Sequence, residues 1–491
     1  MLYSKQDMRD MQDADTIADL PDKISEKGRL KSIHDVEIPD ALKDGVERRD
    51  LGHRDFEKAE FWKKIPYFSG VSAEDFMDPA FQNSNTVTKL TQLEELLEHI
   101  VAPSFLQDVK EGMRATPMNM RLSPYIMGLI NWDDPYNDPL RIQFIPVSSS
   151  YREDHPKLSL DSLHEQADSP TEGLVHRYFD KALFLPLDVC PVYCRFCTRS
   201  YAIGSDTDLV SKYSFKAVPD KWNKAFAYIA SRPEIEDVVI SGGDTYMLSA
   251  DRLRQIGIML LDIPHVRRIR FATKGPAVMP MKILRDDAWR QAIVDTVNRG
   301  REMGKEVVLH THFNSPNEIT DISRQAMDAF FSEGVTVRNQ SVLLRGVNDN
   351  VDTMTHLVRK LSYMNVQPYY IYQHDMVKGV EELRTKLEDS IELELSIRGT
   401  TAGFNTPLFV MDAPGGGGKR DLHSYDHYDP ITGISVYRSP SVHEDRVYLY
   451  FDPIHLLPEE GQRLWADQSA QDRIIQDALK ASGNADLKPV L

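Results

Sequence analysis

Hydrophobic and polar positions change rhythm three times along the chain. Between about 56 and 168 the apolar residues recur at three- and four-residue steps, with Leu90, Leu93, Leu96, Leu97 and Ile100 on one face. A helical region over 56–174, docked through that stripe onto something larger, is expected. From about 175 to 400 short β-branched and aromatic runs alternate with amphipathic stretches. The runs at 182–187, 237–241, 268–273, 306–312, 336–342 and 367–372 read as strands. The stretches at 221–231, 251–261, 289–303, 321–331 and 351–363 read as helices. Six strand–helix units predict an α/β fold in which a parallel sheet curls toward a partial (β/α)6 TIM-type barrel, with its chemistry in loops at the carboxyl ends of the strands. Past 400 the alternation breaks. A strand at 408–412 and a glycine run to Lys419 lead into a C-terminal extension, 401–491, with a helical stretch at 458–470. Residues 1–55, mixed in charge and poor in aromatics, read as a loosely docked arm.

Composition narrows the partners. A formal net charge of -17 argues against nucleic acid, whose binders concentrate Lys and Arg. No stretch approaches the roughly 18 to 20 apolar residues of a membrane helix. The start, MLYSKQDMRDMQDAD, has no apolar run behind a basic end, so no secretory signal is expected. With three clustered thiols, a cytoplasmic location is the expectation.

All three cysteines fall in one stretch, Cys190-Pro-Val-Tyr-Cys194-Arg-Phe-Cys197, directly after the first strand. Thiolates at this CxxxCxxC spacing suit an iron–sulfur cluster or zinc. Three ligands leave one iron of a cubane open to a group that is not protein. A structural zinc site wants four ligands, and His176 or His312 would have to supply the fourth. A disulfide framework is excluded by the odd number and by a chain long enough to build its own core.

Two further stretches carry chemistry. Ser241-Gly242-Gly243-Asp244 ends the second strand, where the glycines let main chain approach a ligand and Asp244 offers a carboxylate to an ammonium. A plain strand-ending turn explains it equally well when taken alone. The other is Ala413-Pro-Gly-Gly-Gly-Gly418-Lys419: four glycines suggest a phosphate or flat ring pressed on main-chain N–H groups, with a solvated turn as the alternative. A nucleotide P-loop is ruled out because Arg420 follows the lysine in place of Ser or Thr. Lys419 is placed to form a Schiff base with an aldehyde cofactor that bears a phosphate.

The ordered segments HRYFDKALFLPLDVCPVYCRFCTR, DVVISGGD, HTHFNSPNEIT, NQSVLLRGVND, PYYIYQHD and FVMDAPGGGGK, spanning 176–419, resemble the lysine 2,3-aminomutase family of radical S-adenosylmethionine enzymes. The resemblance implies a barrel of the radical S-adenosylmethionine kind. It implies that Cys190, Cys194 and Cys197 hold a [4Fe–4S] cluster whose open iron chelates S-adenosylmethionine, with Gly242, Gly243, Asp244, His312 and Gln340 around that cofactor. Lys419 would carry pyridoxal 5'-phosphate, and Arg177 would be a partner of it. Arg199 would grip the substrate carboxylate as a planar fork. Asp375 and Asp412 would read the far end of the substrate. Glutamate-using relatives have a lysine and an asparagine there, so two aspartates point to L-lysine, converted to L-β-lysine. An electron donor such as flavodoxin or ferredoxin, and a homo-oligomer, are implied as well.

The chain departs from the pattern in places. Lys181 stands where a second arginine is usual, His374 where a cysteine is common, and Ser200-Tyr201 replace a run of arginines. The additional cysteines of relatives with a structural zinc site are missing. The alternatives that remain are action on arginine or ornithine, a free amino acid made for protein modification, and an iron–sulfur or zinc protein that keeps the barrel without catalysis. For Asp375 the plain reading is a cap on the turn before Gly379; for Asp412 it is a strand-end residue bonded to the glycine loop.

Overall fold

Alternating side-chain direction along the short strands gives the main sheet an apolar face buried in the core and a more polar face toward a cavity. The computed structural model describes residues 51–213 and 219–490, and Gly52–Leu491 forms one compact unit. The expected arm, 1–55, lies outside the described residues except for its last five.

In the N-terminal part, helix α1 (Leu90–Leu97) buries Leu93 and Leu97 completely. Leu90, Leu96 and Ile100 are partly buried against the same core, so the helical stripe is realised. The main sheet follows, with nine strands: β1 (Leu174–Tyr178), β2 (Lys181–Phe184), β3 (Asp237–Ile240), β4 (Arg268–Ala272), β5 (Glu306–Thr311), β6 (Thr336–Val342), β7 (Val366–Tyr372), β8 (Leu408–Ala413) and β9 (Gly418–Asp421). They lie in sequence order, β1 to β9. Strands β2 to β8 pair in parallel, and an antiparallel hairpin closes each edge. The crossovers run through helices α2 (Pro219–Ala230), α3 (Ala250–Leu261), α4 (Asp287–Glu302), α5 (Asp321–Ser332) and α6 (Val351–Tyr363). Helix α7 (Leu387–Ile397) precedes β8. Ser249, Asp286, Thr320 and Asn350 cap α3 to α6 by accepting main-chain N–H bonds, each worth about 1 kcal/mol.

On β3, Val238 and Ile240 join the hydrophobic core while Asp237 and Val239 face the barrel cavity. On β4, Ile269 and Phe271 go to the core while Arg270 and Ala272 face inward. This is the two-residue period of a strand with unlike faces. A barrel whose inner face carries Asp, Arg, His and Tyr is built to hold a ligand rather than to be filled by its own side chains. At the seam between the first and last strands the Tyr178 hydroxyl accepts the Lys419 main-chain N–H at 2.8 Å.

The six expected strands are present, most of them within one residue at each end. The first stops three residues early, at Phe184, where the chain leaves the sheet toward Pro186 and the cysteines. Both edge hairpin partners, β1 and β9, went unread because each is short and rich in polar residues. The C-terminal extension is a second sheet of β10 (His427–Asp429), β11 (Ile434–Ser439), β12 (His443–Phe451) and β13 (Lys488–Val490), in that order. It also carries helices α8 (Glu459–Ala466) and α9 (Gln468–Ala481). Tyr450 on β12 ties it to the end of β7: its hydroxyl donates to the His374 carbonyl at 2.9 Å and accepts from Gln373 Nε2 at 3.1 Å. Among the described residues, no helix is long and apolar enough to cross a membrane.

Candidate active site

A cavity of about 550 Å³ runs through the mouth of the barrel, within the range of ligand sites. Its wall contains Cys190, Cys194, Cys197, Arg177, Arg199, Gly242, Gly243, Asp244, His312, Gln340, Asp375, Asp412 and Lys419. The residues that the resemblance assigns to cofactors and substrate therefore meet in one space.

The cysteine side is held by main chain. After β2 the strand path runs past the Gly242-Gly243 turn, whose N–H groups bond it: Gly243 N to Leu187 O at 2.6 Å and Asp244 N to Val189 O at 2.9 Å. A Cβ on Gly243 would sit 2.3 Å from the Val189 carbonyl oxygen. The glycines thus allow the turn to press against the segment that delivers Cys190. On the other flank Tyr193 N and Arg195 N bond Arg121 O and Gln143 O, both at 3.0 Å, so the N-terminal helical region steadies the loop. Burial pushes all three thiols up, Cys194 to about 12. Without a positive centre beside them they stay protonated, and a thiolate on one would raise its neighbours further.

Asp244 is more committed than its sequence position suggests. Its oxygens accept Tyr246 N at 2.8 Å and Lys274 N at 2.7 Å, which pins the turn to the end of β4. Only remaining lone pairs are left for a ligand. His312 is neutral: burial and the Lys274 ammonium hold its pKa down to about 3, and its Nε2 lies 3.3 Å from Asn314 Nδ2. Gln340 Nε2 donates to His310 Nδ1 at 2.9 Å, leaving the His310 Nε2 buried without a partner. Thr311 Oγ1 is likewise buried and unpartnered, and both residues line the cavity.

Strand register sets a second pair in the cavity wall. Asp412 on β8 stands across from Lys419 on β9, and Lys419 Nζ lies 3.1 Å from Asp412 Oδ2 and 5.3 Å from the centre of the Tyr372 ring. Burial opposes the Lys419 charge, but Asp412, with Tyr372 and Tyr178, raises its pKa well above the ordinary lysine value. Asp375 is pushed far up by burial and by Asp412, against the pull of Lys419. The plain readings do not survive: the N–H of Gly379 is accepted by Asp154, at 2.9 and 3.1 Å, rather than by Asp375. Asp412 bonds Lys419, not the glycines.

The four-glycine run differs from expectation. It is the turn of the β8–β9 hairpin, with Gly415, Gly416 and Gly418 at φ of 73°, 92° and 75°. Added Cβ atoms would meet Val490 at Gly415 and the Tyr448 ring at Gly417. Gly415 N is already bonded to Ser162 O and Gly417 N to Ala413 O. None of the four glycines lines the cavity. Their conformation serves a tight turn under the C-terminal sheet, which presents Lys419 inward.

Residues 161–168 are the part that sequence reasoning passed over. Arg177 Nε bonds Asp168 at 2.7 Å and its Nη2 bonds the Leu163 carbonyl. Glu165 clasps Arg199 at 2.8 Å and 2.7 Å, and Tyr201 adds a third bond to it at 3.1 Å. Three carboxylates in eight residues, beside the HRY segment, were the available signal.

The residues fit the groups expected. The three thiols and the Lys419 amine line one cavity with His310 Nε2 and Thr311 Oγ1, which are buried and have no hydrogen-bond partner among the described residues. Among the described residues no three His, Cys, Asp or Glu side chains gather to hold a single metal ion. His176 turns to Tyr228, Nδ1 to Oη 2.9 Å.

Comparison with known proteins follows the same line. Over 359 residues the chain is 39% identical to the L-lysine 2,3-aminomutase of Clostridium subterminale, covering 73% of this chain and 80% of that one. It is 37% identical over 362 residues to the L-lysine 2,3-aminomutase of Bacillus subtilis, covering 73% and 71%. A glutamate 2,3-aminomutase of Clostridioides difficile is 30% identical over 405 residues, covering 81% and 90%. No family model matches the chain. A solved radical SAM methyltransferase of Sphaerobacter thermophilus aligns at 17% identity with a TM-score of 0.30, covering 49% of this chain and 68% of that one, too distant to carry an argument. On the strength of the aminomutase matches, the chain belongs to the lysine 2,3-aminomutase family of radical S-adenosylmethionine enzymes, which are isomerases.

Proposed function

We propose that this enzyme moves the 2-amino group of L-lysine to C3, giving L-β-lysine. In this reading pyridoxal 5'-phosphate is held on Lys419, and S-adenosylmethionine on a [4Fe–4S] cluster carried by Cys190, Cys194 and Cys197. The observation that supports it most is one cavity with three thiols on one wall and the Lys419–Asp412 pair, Asp375 and Arg199 on the rest. When bound, the cluster pair supplies a carbon radical that abstracts hydrogen, and the aldehyde supplies an imine nitrogen that can bridge two carbons.

The chain's own residues fix the geometry. Arg199 receives the α-carboxylate by paired hydrogen bonds. Asp375 and Asp412 receive the side-chain ammonium, and two acids on one wall disfavour a carboxylate there. That separates lysine from glutamate, the substrate in the name of one relative. Arginine and ornithine, also cationic, are the second reading. A substrate clamped at both ends in a largely dry site keeps the radical from other hydrogens. A small reducing protein of the flavodoxin or ferredoxin type supplies the electron.

The test is anaerobic reconstitution with iron, sulfide, S-adenosylmethionine, pyridoxal phosphate and a chemical reductant, then incubation with L-lysine, L-arginine, L-ornithine and L-glutamate. L-β-lysine as the main product is expected; a β-amino acid formed only from another substrate rejects the lysine reading. Lys419→Ala loses the borohydride-trappable pyridoxal adduct, and a variant that still traps it at an active-site lysine overturns that assignment.

A further inference from the structure

Glu165 has no part in the chemistry proposed above, yet it occupies the arginine on which that chemistry depends. Its Oε2 receives Arg199 Nε at 2.8 Å and its Oε1 receives Arg199 Nη2 at 2.7 Å, while Tyr201 Oη donates to Oε2 at 3.1 Å. The Glu165 side chain is 6% exposed and that of Arg199 is 18% exposed. Glu165 cannot easily retreat. Asp161 accepts the Glu165 and Gln166 main-chain N–H groups at 3.0 and 3.1 Å. Ser162 O is bonded by Gly415 N, and Leu163 O by Arg177. The turn that carries Glu165 is therefore fastened to the hairpin of Lys419 and to β1 at once.

A guanidinium has five N–H groups in one plane. Glu165 takes the side edge, Nε–H and one Nη2–H. The end edge, made of Nη1 and the second Nη2–H, is a second fork of the same width and stays available. We propose that Glu165 is a positioning residue for Arg199: it locks the side edge so that the end edge meets the substrate α-carboxylate. It also offsets the guanidinium charge, so that the carboxylate is held by direction rather than by a bare cation. The inference rests on the reading that Arg199 binds that carboxylate. Its rival is a stopper, in which Glu165 merely fills Arg199 until substrate displaces it.

The experiment measures kcat on L-lysine, and equilibrium binding of L-lysine and L-lysinamide, which lacks the carboxylate, to reconstituted enzyme without S-adenosylmethionine. Glu165→Gln keeps the shape but loses the charge and one hydrogen bond. It is expected to lower kcat about tenfold or more and to raise the preference for L-lysine over L-lysinamide about threefold. Tyr201→Phe keeps the charge and loosens the carboxylate, so kcat falls less and the preference is unchanged. Should Glu165→Gln fail to fold, Glu165→Asp keeps the charge with a shorter reach and is expected to lower kcat without changing the preference; unaltered kcat rejects the proposal. Tighter lysine binding with undiminished kcat in Glu165→Gln establishes the stopper and overturns the positioning role. An unchanged preference in Glu165→Gln leaves a structural ion pair and overturns it also. Arg199→Lys with the wild-type preference sinks the carboxylate reading itself, an outcome distinct from either.

Discussion

Asp412→Asn removes one charge and almost no volume, which makes it the sharpest probe of how the cavity selects a substrate. Asp412 is 9% exposed and sits 3.1 Å from the only nitrogen that pairs with it among the described residues, Lys419 Nζ. In the proposed function a substrate ammonium takes that place. A charge-assisted hydrogen bond contributes about 1.5 to 3 kcal/mol. At about 1.4 kcal/mol per factor of ten, L-lysine should bind the variant roughly 10- to 150-fold more weakly. Norleucine has the same chain without the ammonium, so its binding should change by no more than about twofold. Competition binding to reconstituted enzyme measures both. Equal weakening of the two ligands would mean that Asp412 shapes the cavity without reading charge, and the lysine reading would fail. A second readout comes from the enzyme's own lysine. Asp412 is first among the groups that raise the Lys419 pKa against burial, so the variant should lower that pKa. More neutral amine should then be present at neutral pH, and pyridoxal phosphate should be captured faster.

Two further outcomes follow from the geometry. Gly243→Ala puts a Cβ 2.3 Å from the Val189 carbonyl, so the segment feeding Cys190 must move; iron and sulfide per chain after reconstitution should fall well below the wild-type value, and full loading would refute the role assigned to that close approach. His374 is buried, donates Nδ1–H to the Asp375 carbonyl at 2.6 Å and leaves Nε2 without a partner, and burial holds its pKa at about 3 against 6.5 when exposed. The unfolded chain therefore binds this proton first, and stability present above pH 6.5 is lost as pH falls toward 3. Each such histidine contributes a slope of at most about 1.4 kcal/mol per pH unit. Urea unfolding between neutral and mildly acid pH should show a shallower slope in His374→Gln than in wild type; identical slopes would show that His374 does not titrate in this window.

The main barrel was legible because its parallel strands are β-branched runs between amphipathic helices with capping residues in place. Asp237 and Arg270 look like interruptions in those runs, but they are the inward positions of strands whose other faces are apolar. The site was legible where a residue type is restricted by chemistry: three cysteines, a glycine pair, a lysine after a hairpin turn. What stayed hidden depends on contacts between distant segments. Nothing near Glu165 announces Arg199, 34 positions away. Nothing in the glycine run says that the Gly415 and Gly417 N–H groups go to Ser162 and Ala413, or that Val490 fills the space beneath Gly415. Four glycines in a row signal either a ligand or a crowded turn, and only the packing of the C-terminal sheet decides for the turn.

Both ends of the cavity arrive already neutralised, and the two devices differ in a way that bears on turnover. A buried charge left alone is costly, so each needs a partner before any ligand comes. At one end Lys419 serves Asp412. In the proposed function, a Lys419 nitrogen bonded to an aldehyde would no longer pair with that carboxylate as a free ammonium, and the substrate cation would take its place. Glu165 pairs with Arg199 along one edge of the guanidinium, and in the proposed reading the substrate carboxylate takes the other, so nothing would have to leave. An arginine permits this because its plane offers two forks; a lysine there would have a single point of charge to share. The asymmetry predicts that cofactor loading strengthens binding of the side-chain ammonium while leaving carboxylate binding almost unchanged. Comparing L-lysine, norleucine and L-lysinamide on enzyme with and without pyridoxal phosphate tests it directly, and an equal gain for all three ligands would show that loading acts on the cavity as a whole rather than through Asp412.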